Sequence, residues 1–231
     1  MGKPNNYMIK KKNNLTNEDI YEEEPIFSGI YGSYTITSKD KREVQFYRLS
    51  VLLSALAFFI GLTQWIFIGP NMVWIWLMLM AIGLGAALKW IHIYLETLHK
   101  GLQILWALGC LGIVILVVNV GAENLLATFS RNTIWTIAIG PLFAALTGLG
   151  FKEFFCFRRP EAIGLTLLIP IALLGHLSQL LNGKTVMTML MIASFLSLVL
   201  AIRKFGMDAA SDVGDKSVFE FLDNQKTAKV T

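Results

Sequence analysis

The sequence predicts an all-α, polytopic membrane bundle of about six helices with both termini cytoplasmic, and three observations predict it. Hydrophobic residues make up 55% of the 231 positions and charged residues only 16%, with a mean hydropathy of +0.57. Water-solvated domains are not this apolar. The apolar residues gather into runs of roughly 20, the length at which a helix crosses hydrocarbon with every backbone group bonded internally. The third observation is the placement of Lys and Arg at the ends of those runs.

Each element follows in order. Residues 1–47 read as a cytoplasmic N-terminal tail: basic at Lys10, Lys11 and Lys12, acidic at Glu22, Glu23 and Glu24, then β-prone and rich in glycine and aromatics from Pro25 to Thr37. The first apolar run begins near Arg48, behind that polar leader, so it is expected to be a retained anchor and not a cleaved signal. Spans are expected at 48–68, 72–92, 102–120, 134–151, 163–181 and 185–203, and 204–231 form a cytoplasmic C-terminal tail. Gly69-Pro70-Asn71 and Asn182-Gly183 supply tight turns, which make the first and last pairs of spans antiparallel hairpins.

Orientation follows from the basic residues, because positive charge is retained on the cytoplasmic side during insertion. One side collects Lys39, Lys41, Arg42, Arg48, Lys89, Lys100, Lys152, Arg158, Arg159, Arg203 and Lys204, and the other holds Arg131 and Lys184. An even number of spans preserves that alternation. The same distribution accounts for the net charge of +4 without a basic soluble face, and it argues against nucleic acid as a partner. Trp65, Trp74, Trp90 and Trp135 fall near span ends as depth markers, whereas Trp76 and Trp106 lie deeper as packing residues. Cys110, inside an apolar run, and Cys156, in a short basic loop, lie on opposite sides of a helix and are expected to stay free thiols. Small residues four apart, Gly140, Ala144 and Gly148 in the fourth span and Ala193, Ser197 and Ala201 in the sixth, predict close helix packing.

Polar groups at depth are the candidate sites, since each must be paired or useful to offset its cost in hydrocarbon. Mid-span acidic residues are absent from the six runs, which argues against an ordinary carboxylate relay for ion-coupled transport. His92, Glu96 and His99 are spaced to share one helical face and are the candidate metal ligands, although a carboxylate-bridged site needs a second such motif. His176, in the fifth span, is the candidate cofactor ligand, since a neutral imidazole can serve as the axial ligand of a haem or chlorophyll. Pro141 and Pro170 interrupt the ladders of the fourth and fifth spans and are expected to kink them. The segment 151–161 alternates aromatics with charge and reads as a loop lying flat on the cytoplasmic surface. Phe154, Phe155 and Phe157 would sink toward the acyl boundary there, while Lys152, Arg158 and Arg159 meet lipid phosphates or a partner's carboxylates. No phosphate-cradling glycine loop, Cys-x-x-Cys pair or nucleophile elbow occurs, so no recognisable enzyme motif is present.

Three stretches, Gly85-Ala86-Ala87-Leu88-Lys89-Trp90-Ile91-His92-Ile93-Tyr94, Gly148-Leu149-Gly150-Phe151-Lys152-Glu153-Phe154-Phe155-Cys156-Phe157 and Gly175-His176-Leu177, resemble an uncharacterised integral membrane family of cyanobacteria and plant plastids. The resemblance covers most of residues 40–205. It implies a bacterial plasma-membrane or thylakoid location and a link to photosynthetic complexes, without an activity. The reading that follows is a scaffold or assembly factor for a membrane complex, with the lipid bilayer as its first partner. A carrier for a small or lipidic molecule and a metal- or haem-dependent membrane enzyme are the alternatives.

Overall fold

The computed structural model describes residues 26–93, 95–218, 221, 222 and 224. The basic and acidic runs at 10–12 and 22–24 therefore lie outside the described residues. Two strands, β1 (Ile26–Ser28) and β2 (Ser33–Thr35), precede seven helices and a short eighth: α1 (Ser38–Phe67), α2 (Val73–Trp90), α3 (Glu96–Val120), α4 (Leu125–Arg131), α5 (Thr136–Phe157), α6 (Pro160–Leu177), α7 (Gly183–Lys204) and α8 (Ala209–Val213). Among the described residues, six helices are long and apolar enough to cross a membrane: α1, α2, α3, α6, α7, and α5 together with the 3-10 turn Thr133–Trp135 that leads into it. Each expected span overlaps one of them. The predicted all-α membrane bundle is thus the fold.

Helix ends follow local chemistry. The Thr37 hydroxyl accepts the Asp40 N–H (3.3 Å) and the Asp40 carboxylate accepts the Thr37 N–H (2.8 Å), a reciprocal capping box. That cap starts α1 at Ser38, ten residues before the first apolar run, so the first helix has a polar opening that hydropathy alone does not register. Pro160 sits in the first turn of α6, where its missing N–H costs nothing. The Asn182 side chain accepts the Thr185 N–H (2.9 Å) and opens α7. Between α4 and α5 the chain pauses at Asn132, whose side chain accepts from the Ile134 N–H.

The chain divides into two compact units. One comprises residues 1–45 and 208–231, of which the described parts form the antiparallel hairpin β1–β2, the first turns of α1, and α8 with the residues after it. Ile36, Val44 and Val213 form its small apolar core. The Ile30 N–H donates to the Asp215 carboxylate (2.7 Å), the Tyr31 N–H to the Ser217 hydroxyl (3.1 Å), and the Lys216 ammonium to Asp40 (2.8 Å). Segments from opposite ends of the chain are thereby tied together within this unit.

The other unit, Phe46–Met207, is the transmembrane bundle. Its helices cross closely where glycine removes the side chain. A Cβ on Gly109 or Gly112 of α3 would collide with the α5 backbone at Leu142 and Ala138 respectively, and one on Gly83 of α2 would meet the Ser54 amide of α1 at 2.7 Å. The expected ridge on α5 is divided in its role: Gly148 abuts Leu102, whereas Gly140 faces open space. On α7, Ala193, Ser197 and Ala201 are all buried, as a packing ridge requires. Outward-facing Ile82, Ile104, Val118, Ile137 and Ile171 stay exposed in the isolated chain, which suits residues whose solvent is lipid.

Candidate functional site

The densest set of charged side chains inside the bundle lies at one end, where α1, α5 and α7 meet. Lys152 and Glu153 are five and four residues before the end of α5, Lys204 closes α7, and Tyr47 belongs to α1. All four are buried: Glu153 is 0% exposed, Lys204 1%, Tyr47 2% and Lys152 6%. The Glu153 carboxylate accepts from the Tyr47 hydroxyl at 2.6 Å and the Lys152 ammonium at 3.3 Å through Oε1, and from the Lys204 ammonium at 2.7 Å through Oε2. Both ammonium groups also sit over the rings of Tyr47 and Phe157, at 4.9 to 5.3 Å from the centroids. Aromatic faces therefore supply part of the solvation that water would otherwise give the lysines.

A second pair extends the cluster to α6. The Arg203 guanidinium donates to Glu161 Oε2 at 3.0 Å, with Arg203 half exposed and Glu161 buried. Glu161 Oε1 has no hydrogen-bond partner among the described residues. Four helices thus contribute to an ionic clamp. Isolated, any of these charges would carry a penalty of several kcal/mol in an apolar interior, and mutual pairing is what permits them there.

This geometry revises the reading of 151–161 as a surface loop. α5 continues through Phe157 and α6 begins at Pro160, so only Arg158 and Arg159 connect them. Arg158 takes the left-handed conformation (φ 51) that ends α5, and its N–H returns to the Phe154 carbonyl. The physical reason for the longer helix is that Lys152 and Glu153 are satisfied by Tyr47 and Lys204 inside the bundle and do not need headgroups. Lys152 is accordingly placed inside the clamp and not on the surface. Phe157 is half buried over the ammonium groups, and Phe154 is half buried against the core. Phe155 is 75% exposed and stacks on exposed Phe151 at 6.2 Å, with Cys156 and Arg158 also exposed and Arg159 half buried. Glu153 and Glu161, expected in a loop, both lie in helices.

The candidate metal ligands do not converge. A shared face at offsets of four and three requires one continuous helix, but α2 ends at Trp90, Ile91 is extended, and α3 starts at Glu96. His99 Nε2 lies 2.6 Å from the Leu88 carbonyl and 3.1 Å from Gln103 Nε2, and Glu96 pairs with Lys100 at 2.7 Å. Among the described residues no group of three His, Cys, Asp or Glu side chains could hold a metal ion. His176 is buried on α6, its Nε2 3.2 Å from the Phe129 carbonyl and its ring against the Phe129 ring at 5.0 Å. Axial ligation through Nε2 would require giving up that hydrogen bond to α4.

Tyr47, Glu153, Glu161, Arg203 and Lys204 are members of the clamp that the sequence does not single out as site residues. One signal for them exists in the sequence: the distribution of Lys and Arg is expected to put these segments on one side, and Glu153 and Glu161 are acidic residues set among the cations there.

Toward the opposite end lies an apolar cavity of about 60 Å³ bounded by α1, α2, α4, α5, α6 and α7. Phe58, Phe129 and Phe143 contribute to its wall, and His176 does not.

Residues 86–221 match the family model described as "Uncharacterized integral membrane protein (DUF2301)". No curated protein and no solved structure matches the chain.

Proposed function

Because the chain belongs to the DUF2301 family of integral membrane proteins, we propose that it serves as a multi-pass scaffold or assembly factor for a membrane complex, with both termini on the cytoplasmic side. The observation that carries this reading is the contrast at the clamped end of the bundle. There the interior charges are joined to one another across four helices, which stiffens the end. Outside it the stacked Phe151 and Phe155 and the Arg158 guanidinium face outward together. A rigid element carrying an aromatic pair beside a cation suits a partner that offers an apolar helix and an acidic juxtamembrane segment. The N-terminal tail is a further contact surface in this proposal.

The test is native gel migration of protein solubilised in gentle detergent. A complex larger than the free chain is expected, and charge reversal in the double variant R158E/R159E should release it while thermal stability stays near wild type. Migration only as the free chain under those conditions would overturn the proposal. A carrier function for a polar molecule finds less support, because the bundle cavity that Phe129 and Leu173 line is walled by apolar side chains.

A further inference from the structure

We propose that the apolar cavity in the transmembrane bundle is a binding site for the end of one linear hydrocarbon chain, admitted from the bilayer between Trp65 and Trp76. The cavity sits far from the ionic clamp: Trp65 and Tyr47 are 18 residues apart on α1, or about 27 Å at the rise of a helix. Gly61, which lines it, is six residues before the end of α1, so the cavity lies about 9 Å inside that end, within the hydrocarbon of one leaflet.

Chemistry selects the occupant. The walls are hydrocarbon and aromatic, and an apolar cavity with no polar partners does not hold water. The medium around a membrane helix is itself hydrocarbon, so the available filler is an alkyl chain. A volume of about 60 Å³ accommodates the last few carbons of a slender chain and excludes fused rings and headgroups.

The mouth is identified by exposure. Trp65 and Trp76 are half buried, whereas the other wall residues are buried. Gly61 lets the Trp76 side chain lie against α1, since a Cβ there would meet Trp76 Cβ at 2.8 Å. The Trp76 indole N–H donates to Gln64 Oε1 (2.7 Å), and Gln64 Nε2 donates to the Asn71 carbonyl (2.6 Å) in the turn between α1 and α2. The rim therefore sets an apolar gate beside an amide engaged in bonds to Trp76 and Asn71, so the chain enters by its apolar end. The ligand class is a linear single-chain amphiphile or one acyl chain of a lipid.

The experiment uses the full chain in a sterol-based detergent, which offers no linear chain of its own. Titration with 1-decanol should raise Tm by a few degrees in a saturable manner, and cyclododecanol should not. Ala57→Leu and Leu190→Phe, which fill the cavity, should abolish the saturable response. As a readout that needs no variant, 10-bromodecanol should quench tryptophan fluorescence saturably, and unlabelled decanol should reverse the quenching where cyclododecanol does not. Decanoic acid and didecanoyl phosphatidylcholine, compared in parallel, distinguish a free amphiphile from a lipid chain by which gives the saturable shift at lower concentration. Equal responses to linear and cyclic alcohols, non-saturable quenching, or an undiminished shift in a folded filled variant would overturn the proposal.

Discussion

Glu153 is a carboxylate that hydrocarbon would not tolerate alone, and its three donors arrive from two helices besides its own. Removing it leaves two buried ammonium groups facing each other, which is costlier than removing a neutral bond. Glu153→Ala is therefore expected to destabilise the bundle by about 3–5 kcal/mol, whereas Tyr47→Phe, which deletes one hydrogen bond to a charged group, should cost about 1.5–3 kcal/mol. Thermal unfolding of the purified variants in one detergent checks the order; equal losses would show that charge pairing is not what matters at this position. The double variant E153Q/K204M should recover part of the loss, because it removes one charge of each sign. The sequence displays Glu153 and Lys204 as charges at helix ends and nothing more. Which charged end meets which depends on helix rotation and order in the bundle, and a single chain carries no local signal for either.

Between elements, the decisive contacts are glycine on backbone. Gly109 and Gly112 place α3 against α5 so closely that any Cβ must push the helices apart, while Gly140 on α5 has open space around its Cβ direction. Gly112→Val should accordingly destabilise by about 1–3 kcal/mol through overpacking, and Gly140→Ala should be neutral or stabilise by up to about 1 kcal/mol through helix propensity. Thermal unfolding checks both, and a large loss at Gly140 would refute the assigned crossing. The six spans were legible because length and hydropathy are local properties. The crossing points were not, since glycine on a packed face and glycine on an open face look alike in sequence; the expected ridge contained one of each. In the smaller unit, burial pushes the Asp215 carboxyl up, but hydrogen bonds from the Ser217 side chain and the Ile30 and Ser217 amides outweigh it and hold the group below its ordinary 3.8. A depressed folded-state value contributes stability that is complete above the unfolded pKa and lost as pH falls through the folded one. Amide exchange at Ile30 should therefore quicken as pH drops below about 4, relative to its intrinsic rate, and Asp215→Asn should remove that dependence. Protection that ignores pH in the wild type would show that Asp215 does not hold the hairpin.

At the scale of the whole molecule, the hydrogen bonds from Ile30 and Tyr31 to Asp215 and Ser217 constrain topology independently of charge. Residues 26–37 precede α1 and 208–218 follow α7, and from the bonds of 2.7 and 3.1 Å between them we predict that both flanks lie on one side of the membrane. Only an even number of crossings satisfies this, as six does. Which side it is depends on the basic residues, eleven of which, from Lys39 to Lys204, flank the expected spans on the side of the termini, against Arg131 and Lys184 on the other. Positive charge is held back from translocation, so the side of the termini is predicted to be cytoplasmic. The clamp makes a further demand, because Lys152, Arg203 and Lys204 do double duty as retention signals and as interior partners of Glu153 and Glu161. A cysteine placed at Asn71 or Gly183 in intact cells should react with a membrane-impermeant maleimide, and one at Ser38 should react only after the membrane is opened. Labelling of Asn71 and Ser38 from the same side would refute the hairpin of α1 and α2. Labelling of Ser38 alone in intact cells would keep the bundle and invert it, placing the clamp and the Phe151–Phe155 face on the opposite surface, out of reach of any cytoplasmic partner.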